Sequence, residues 1–512
     1  MPFINLNTEA TLFLDKQFDA TIIGAGAAGI LLAVQLTKAG KKVLLIESGH
    51  FSIDEEKQKQ NEVEMAAKNL ANAVWGRKRA IGGTTLAWGG QCLPFTSIDF
   101  LKRPWVENSG WPIAFDIMEA YYKEATAFMG VDTLDYHSDI FSKAKIDDPG
   151  IDASLLDFHV SKWAREPNFQ VLYKDFLQAN VMVVYNAQLQ RIFRLEDGSV
   201  DKIEIQNFNK DVFYTKIKIL IIAAGGIETN RILLNNNAGN HSGWLGKCFM
   251  DHPCIEIGDV VTNDQYRLQK HFNTHLWDKR KYSVRLSLSK KIQEEKKILN
   301  CSAGIMFKPS ADKFDPYAEL VSFKKDFKLK RLLKVSGSSV NLIKSIWAYI
   351  KHGFYYKVNA DNKLVLMIEQ EPITSSQIGL SIMNDAFGIP KAKISWNISY
   401  KTWETVLGVS GILKTEIERL GLGEVKLYEH IKPHNENWAD TLSDVNHHMG
   451  GCRMSAAPEG GVVNENLQVW GIPNLFVCSC AVFPTASHSN PTLTMLALGM
   501  RLSEYLLNEN LC

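Results

Sequence analysis

One stretch near the start of the chain leaves few choices of fold. Residues 19–24 (DATIIG) form a short apolar run. Gly24-Ala25-Gly26-Ala27-Ala28-Gly29 follows, then the amphipathic run ILLAVQLTKAG ending at Gly40, then a second apolar run, KKVLLIE, ending at Glu47. Strand, glycine turn, helix and strand make a complete βαβ unit, so GxGxxG is not an isolated motif here. Gly24 permits the tight turn, Gly26 lets the backbone approach a diphosphate, and Gly29 lets the helix pack closely on the strand. The first turn of that helix offers free N–H groups to an anion. Ala28 lies in that turn, and Glu47 is placed to accept from ribose hydroxyls and to disfavour a 2′-phosphate. A dinucleotide site is therefore expected, and the motif alone does not separate FAD from NAD.

Further pieces of the same architecture are scattered along the chain. IGGTTLAWGGQCLPF (81–95) sets Gly82-Gly83 and Gly89-Gly90 around a short polar and aromatic segment, with Gly83, Thr84 and Trp88 placed to touch a cofactor. VMVVYNAQLQRI (181–192) reads as a strand at the adenosine end, with Leu189 as a contact. IKILIIAAGGIETNRILL (217–234) reads as another buried parallel strand, a turn containing Ala224 and Gly225, and a helix. The last hundred residues hold NHHMGGCRM (446–454) and VFPTASHSNPTLTMLAL (482–498), joined through one apolar strand near 474–478. This brings His447 and Asn490 to a cofactor domain that opened at the other end of the chain. Imidazole and amide at a redox dinucleotide suit oxidation of a hydroxyl-bearing carbon.

Taken together and in this order, these motifs resemble the glucose–methanol–choline (GMC) family of FAD oxidoreductases. The likeness runs through GAGAAG with Glu47, GGTTLAWGG, ILIIAAGGIETNRILL, LGKCFMDHP and the closing HHMGGCRM…NPTLTMLAL. In flavour it is closest to the pyranose oxidase and cholesterol oxidase branches, where the C-terminal pair is His and Asn. The resemblance implies that His447 is the catalytic base and Asn490 its partner amide, also in contact with the cofactor. It implies further contacts at Cys480, in a Ser479-Cys480 turn, and at Thr492. Pyranose oxidases carry a covalently flavinylated histidine in the second glycine segment. Ala87 stands at that position here, so FAD is expected to be noncovalent.

The implied chemistry is FAD-dependent oxidation of a CH–OH group of a sugar, polyol, glycoside or other alcohol. Imidazole takes the hydroxyl proton, and flavin N5 takes the hydride. His448 is the alternative base. His448, His488 and Gln370 are read as substrate-lining, and His252, in DHP, as structural. A Ser-His-Asp hydrolase is disfavoured because no GxSxG elbow occurs. The alternative function is a lyase-type enzyme of the same fold, or a flavin-binding protein acting on an amphiphilic or lipid-linked substrate.

The expected fold is α/β. A Rossmann-like FAD-binding domain is assembled from residues 16–110, 180–255 and 435–512. An α+β substrate domain with an antiparallel sheet takes 111–179 and 256–434. Alternation in YSVRLSLS, NCSAGIMF, QIGLSI and AKISWNIS is read as one sheet roofing the flavin. Residues 323–358 stand apart as a basic helical insertion, with nine Lys or Arg against one Asp and interleaved aromatics. It is read either as solvated capping helices or as a peripheral membrane contact or acceptor-docking face.

Composition excludes other classes. The net charge of +1 removes the global case for nucleic acid, and no apolar run reaches membrane-span length. The eight cysteines show no CxxC pair, so neither a metal site nor a disulfide framework is expected. The first residues lack secretory-signal character, and a cytoplasmic location is the default expectation. The partners expected are a small alcohol or sugar and an electron acceptor (oxygen, quinone or protein) that no motif selects.

Overall fold

The structure is a computed structural model and describes residues 3–13, 16–309 and 339–512. A six-stranded parallel sheet forms its centre, in the order Phe3–Asn5, Met182–Tyr185, Val43–Ile46, Ala20–Ile23, Leu220–Ile222, Leu475–Val477. The four middle and terminal strands named last are almost wholly aliphatic and buried along their length, as a parallel sheet covered on both faces requires. Register is continuous across the sheet: Leu45 pairs with Ile22, Ile22 with Ile221, and Ile221 with Phe476. The helix Ala27–Lys38 packs on this sheet, and Gly40, at φ +82°, follows its end. Helix Pro491–Asn508 lies against it, close enough that a Cβ on Gly499 would sit 3.1 Å from Leu31 Cδ1's sister methyl, Cδ2, and 3.3 Å from Cys478 Sγ.

A second core is built on a sheet of eight strands, all paired antiparallel. Its central strands are Leu156–Trp163, Arg280–Leu288, Cys301–Pro309, Ala360–Ile368 and Cys254–Val261. One face is apolar and is covered by helix Tyr400–Arg419 through Trp403, Val406, Val409, Leu413 and Ile417. The other face carries Ser161, Ser283, Ser287 and Ser302, and His159 on it meets His488 of the C-terminal stretch. The ion pair of Arg103 with Glu369, at 2.8 Å and almost fully buried, ties the loop after residue 100 to the end of strand Ala360–Ile368.

The architecture is the α/β arrangement of a Rossmann-like domain with antiparallel sheets, as the motifs imply. Three details differ from the sequence reading. Gln377–Asn384 and Pro390–Ser395 do not extend the roofing sheet. They pair with each other and, in parallel, with Val63–Met65, forming a three-stranded sheet of their own. Alternation announces a strand but not its neighbours. Residues 181–192 make two strands, with Gln188–Arg194 opening a separate three-stranded antiparallel sheet. Helix Phe115–Phe128, assigned above to the substrate domain, packs on Pro491–Asn508, where the Tyr122 hydroxyl lies 2.9 Å from Thr494 Oγ1. Of the basic segment, 323–338 lies outside the described residues, and Ser339–His352 is a helix.

Candidate active site

The carboxyl ends of the parallel strands open on a cavity with an empty volume of about 1280 Å³. Its floor is the first βαβ unit. Gly24 takes φ +103°, a backbone region costly for any other residue. The N-cap of the first helix is Gly26, with no side chain closing the helix end, so the N–H groups of its first turn face the cavity. A Cβ on Gly83 would collide with Gly26 Cα: the two glycine segments meet back to back. Glu47 holds the rim, Oε2 accepting from Ala25 N at 2.9 Å and Oε1 from Gly49 N at 2.8 Å. Burial raises its pKa.

Of the cofactor residues named from sequence, Gly24, Gly26, Ala28 and Glu47 line this cavity, as do Gly83, Thr84 and Trp88, Leu189, Ala224 and Gly225, and Cys480 and Thr492. Trp88 spends its indole N–H on Pro167 O at 2.8 Å, leaving its ring for packing. Gly29 lies behind the wall, where a Cβ would collide with Gly24 O; its part is helix–strand packing. Asn490 is next to the lining residue Pro491.

Sequence reading missed a charged wall. Arg77, Lys78, Arg79 and Glu228 line the same cavity. Glu228 is buried and accepts from Arg79 Nη2 at 2.8 Å and Arg231 Nη2 at 2.9 Å. These guanidiniums outweigh its burial and hold its carboxyl far below the ordinary range. Arg77 approaches Glu228 only to 4.0 Å, and burial pushes its pKa down to about 9. Arg231 is also paired with Asp385 at 3.0 Å. Three guanidiniums and Lys78 therefore stand against two carboxylates, and the surplus charge suits the diphosphate of a dinucleotide. The clue was present as GRKRA, directly before IGGTT.

Over the other end of the cavity stands the imidazole–amide pair. Asn490 precedes Pro491 as N-cap of the last helix but makes no side-chain cap bond, so its amide is free to turn elsewhere. Asn490 Nδ2 lies 3.2 Å from His447 Nε2. On the far side of the ring, His447 Nδ1 lies 2.8 Å from Nδ1 of His252. His252 is fully buried, and burial depresses its pKa to about 4, so it is neutral. Its Nε2 faces two carbonyls, Ser487 O at 2.9 Å and Ala486 O at 3.2 Å, and must carry the proton. Its Nδ1 is then an acceptor, which assigns the hydrogen between the rings to His447 Nδ1. The lone pair of His447 therefore sits on Nε2, toward Asn490. Burial, then His252 and His448, keep the His447 pKa well below its usual value.

Asp251 anchors this arrangement from beneath. Its Oδ1 accepts backbone N–H from His252 at 2.6 Å, His447 at 3.0 Å and Val445 at 3.4 Å. Burial raises its pKa to about 7. Gln370 is not on the cavity wall, contrary to its assignment as substrate-lining. It is fully buried, with Oε1 accepting from Asp251 N at 2.9 Å and Trp396 Nε1 at 2.8 Å, so it braces Asp251. His488 likewise lies off the wall: Asn300 Nδ2 donates to its Nδ1 at 2.9 Å, and its ring faces His159 at 5.8 Å. His448 does line the cavity, but its ring is stacked on Phe249 and its Nε2 lies 3.7 Å from Asp251 Oδ2. His252, set aside as structural from sequence, is the direct neighbour of His447. Among the described residues no group of side chains could hold a metal ion, and the eight cysteines are unpaired.

Comparison with known proteins agrees with this geometry. Residues 372–499 match the family model described as GMC oxidoreductase, and residues 22–78 match an NAD(P)-binding Rossmann-like domain. The chain is 21% identical to a 2-methyl-1,2-propanediol dehydrogenase of Mycolicibacterium austroafricanum, over 96% of this chain and 95% of that one. It is 21% identical to the fructose dehydrogenase large subunit of Gluconobacter japonicus, over 96% and 98%. A long-chain-alcohol oxidase of Arabidopsis thaliana is 22% identical, over 94% of this chain and 67% of its own length. The chain thus carries a GMC oxidoreductase domain at its C-terminal end and a Rossmann-like domain at its start, and it is an oxidoreductase acting on CH–OH donors.

Proposed function

We propose that this enzyme binds FAD noncovalently in the cavity and oxidises a CH–OH carbon of a sugar, polyol, glycoside or other alcohol. Glu47 would hold the ribose, and the first helix turn with the surplus charge of the arginine wall would hold the diphosphate. Gly83, Thr84, Cys480 and Thr492 would line the remainder. Flavin supplies the hydride acceptor when bound.

The observation that carries the proposal is the proton order along His252, His447 and Asn490. Donation of Nδ1–H to His252 leaves His447 Nε2 as an unprotonated base. A hydroxyl entering between Nε2 and Asn490 receives the amide N–H and gives its own proton to Nε2. As that proton moves, His447 keeps its Nδ1–H donation to His252. The long 3.2 Å contact of Asn490 with His447 is readily exchanged for two shorter ones to the substrate oxygen. The names of the relatives, which act on a diol, fructose and long-chain alcohols, support the donor class.

The test is anaerobic mixing of the yellow holoenzyme with a panel of sugars, polyols and alcohols. At least one should bleach the flavin. His447→Ala should slow that reduction about 10²- to 10⁴-fold, the range for loss of a general base, with flavin content unchanged. Reduction by the variant at the parental rate would remove His447 from the mechanism.

A further inference from the structure

The face of the large sheet that turns toward Asn490 holds a guanidinium without an acid. Arg285 is flanked across the ladder by His159 on one strand and lies over Gly304 on the other. A Cβ at Gly304 would collide with Arg285 Nη1, so the glycine is the space the guanidinium occupies. Among the described residues Arg285 has no hydrogen bond or ion pair, and Cys254 is the one ionisable group acting on it. Of the acids on this face, Asp157 is taken by His137 at 3.2 Å, Glu256 by Lys308 and Asp259 by Lys363 at 2.8 Å. His159, 2% exposed, leaves both ring nitrogens without partners, and its ring faces His488, two residues before Asn490. On the other side Cys254 lies two residues after His252. Arg285 thus lies between His159, whose ring faces His488 near Asn490, and Cys254, two residues after the His447 neighbour His252, and it is half-buried rather than sealed.

Building on the proposed oxidation, we infer that Arg285, with His159 beside it, binds an oxyanion carried by the substrate: a carboxylate or phosphate remote from the CH–OH that reacts. A partly desolvated guanidinium pairs bidentately with such a group, and His159 supplies a neutral donor. Holoenzyme and Arg285→Gln should be compared on glucose, glucuronate and glucose 6-phosphate, which separate the neutral, carboxylate and phosphate cases, and in equilibrium dialysis against labelled inorganic phosphate and glucuronate. The expected result is a KM-borne loss of about 10- to 100-fold on one anionic sugar, partial recovery in Arg285→Lys, and little change on glucose. An unchanged ratio of anionic to neutral sugar in folded, flavin-loaded Arg285→Gln overturns the subsite, as does anion binding that does not differ between the two proteins. Arg285-dependent anion binding without flavin reduction by any alcohol would instead count against the oxidation.

A separate observation concerns helix Ser339–His352. Its inward face carries Ser345 and Ala348, both buried, with Ser345 Oγ donating to Tyr356 O at 2.9 Å. Ile343, Ile346, Trp347 and Ile350, one stripe at i, i+3, i+4 and i+7, are 64%, 51%, 47% and 68% exposed. A helix of a soluble domain normally buries this stripe. Here the amphipathicity is inverted. The helix has no acidic residue, and exposed Lys344 and Lys351 flank the stripe. We propose that the stripe lies in the interface of an anionic bilayer, the lysines meeting the headgroups. The test is flotation of the whole protein with phosphatidylcholine vesicles, with and without phosphatidylglycerol. Binding should require the anionic lipid, weaken with salt, fall about 5-fold or more per reversed charge in Lys344→Glu and Lys351→Glu, and vanish in Ile346→Asp/Ile350→Asp with unchanged kcat on a water-soluble substrate. No flotation of the parent protein overturns the proposal. So does a concentration-dependent dimer, abolished by the aspartates, that does not bind vesicles.

Discussion

At the scale of single residues, His252 sets the protonation of His447, the ring proposed to take the hydroxyl proton. Its two carbonyl contacts leave it one way to meet His447, as an acceptor. His252→Leu keeps the bulk and removes the acceptor, so His447 is free to take either tautomer. Flavin reduction should slow about 10- to 100-fold while flavin content stays constant; an unaltered rate would show that the tautomer is fixed by other means. The acid dependence has a defined sign. Burial lowers the His447 pKa, so the base stays neutral as pH falls past 6.5 and is lost only near its depressed value. The acid limb of kcat/KM should therefore lie below 6.5. His447 and Asn490 were legible because each stands in a distinctive glycine- or proline-marked segment. His252 was not, because its partner is 195 positions away and only the fold makes them neighbours. Gln370 was misread for the same reason: a buried amide that supports an aspartate has the same one-letter code as one that touches substrate.

At the scale of elements, the contact of the first and last helices is a sensitive point. Gly499 stands where any larger side chain meets Leu31 and Cys478. Gly499→Leu should cost about 1–3 kcal/mol by overpacking, read as a lower urea midpoint. The clamp of Arg103 with Glu369 should be more costly to break. Glu369→Gln strands a buried guanidinium, and a loss of about 3–5 kcal/mol is expected in the same measurement. Five strands of the parallel sheet were readable because burial on both faces writes a continuous apolar run; the half-exposed edge strand Phe3–Asn5 has no such run and was not. The pairing of Gln377–Asn384 and Pro390–Ser395 with Val63–Met65 was not, since alternation records which face is buried and says nothing of which strand lies alongside.

At the scale of the whole molecule, the interior holds an unusual number of neutral imidazoles. Burial lowers His252 and His488 to about 4, His159 and His448 to about 3, and His447 well below its usual value. Below pH 6.5 the unfolded chain takes up protons that the folded chain refuses, so stability is fully present above that pH and falls as acid is added. Asp251, raised to about 7, has the opposite sign: its contribution to the fold grows as pH falls through 7 and is full below 3.8. The five histidines outnumber it, and the thermal midpoint should drop steadily from pH 6.5 to 4. A flat profile would contradict the burial of these rings.

The edge strand Leu475–Val477 closes the parallel sheet against Leu220–Ile222, some 250 residues earlier in the chain. During synthesis, then, the central sheet waits with one flank unpaired while the strands of the antiparallel sheet from Cys254–Val261 onward are translated. The cavity wall and the imidazole–amide pair are completed only by residues 447–495. Until Leu475–Val477 arrives, Leu220–Ile222 is an unpaired apolar edge, the kind of surface that associates edge to edge.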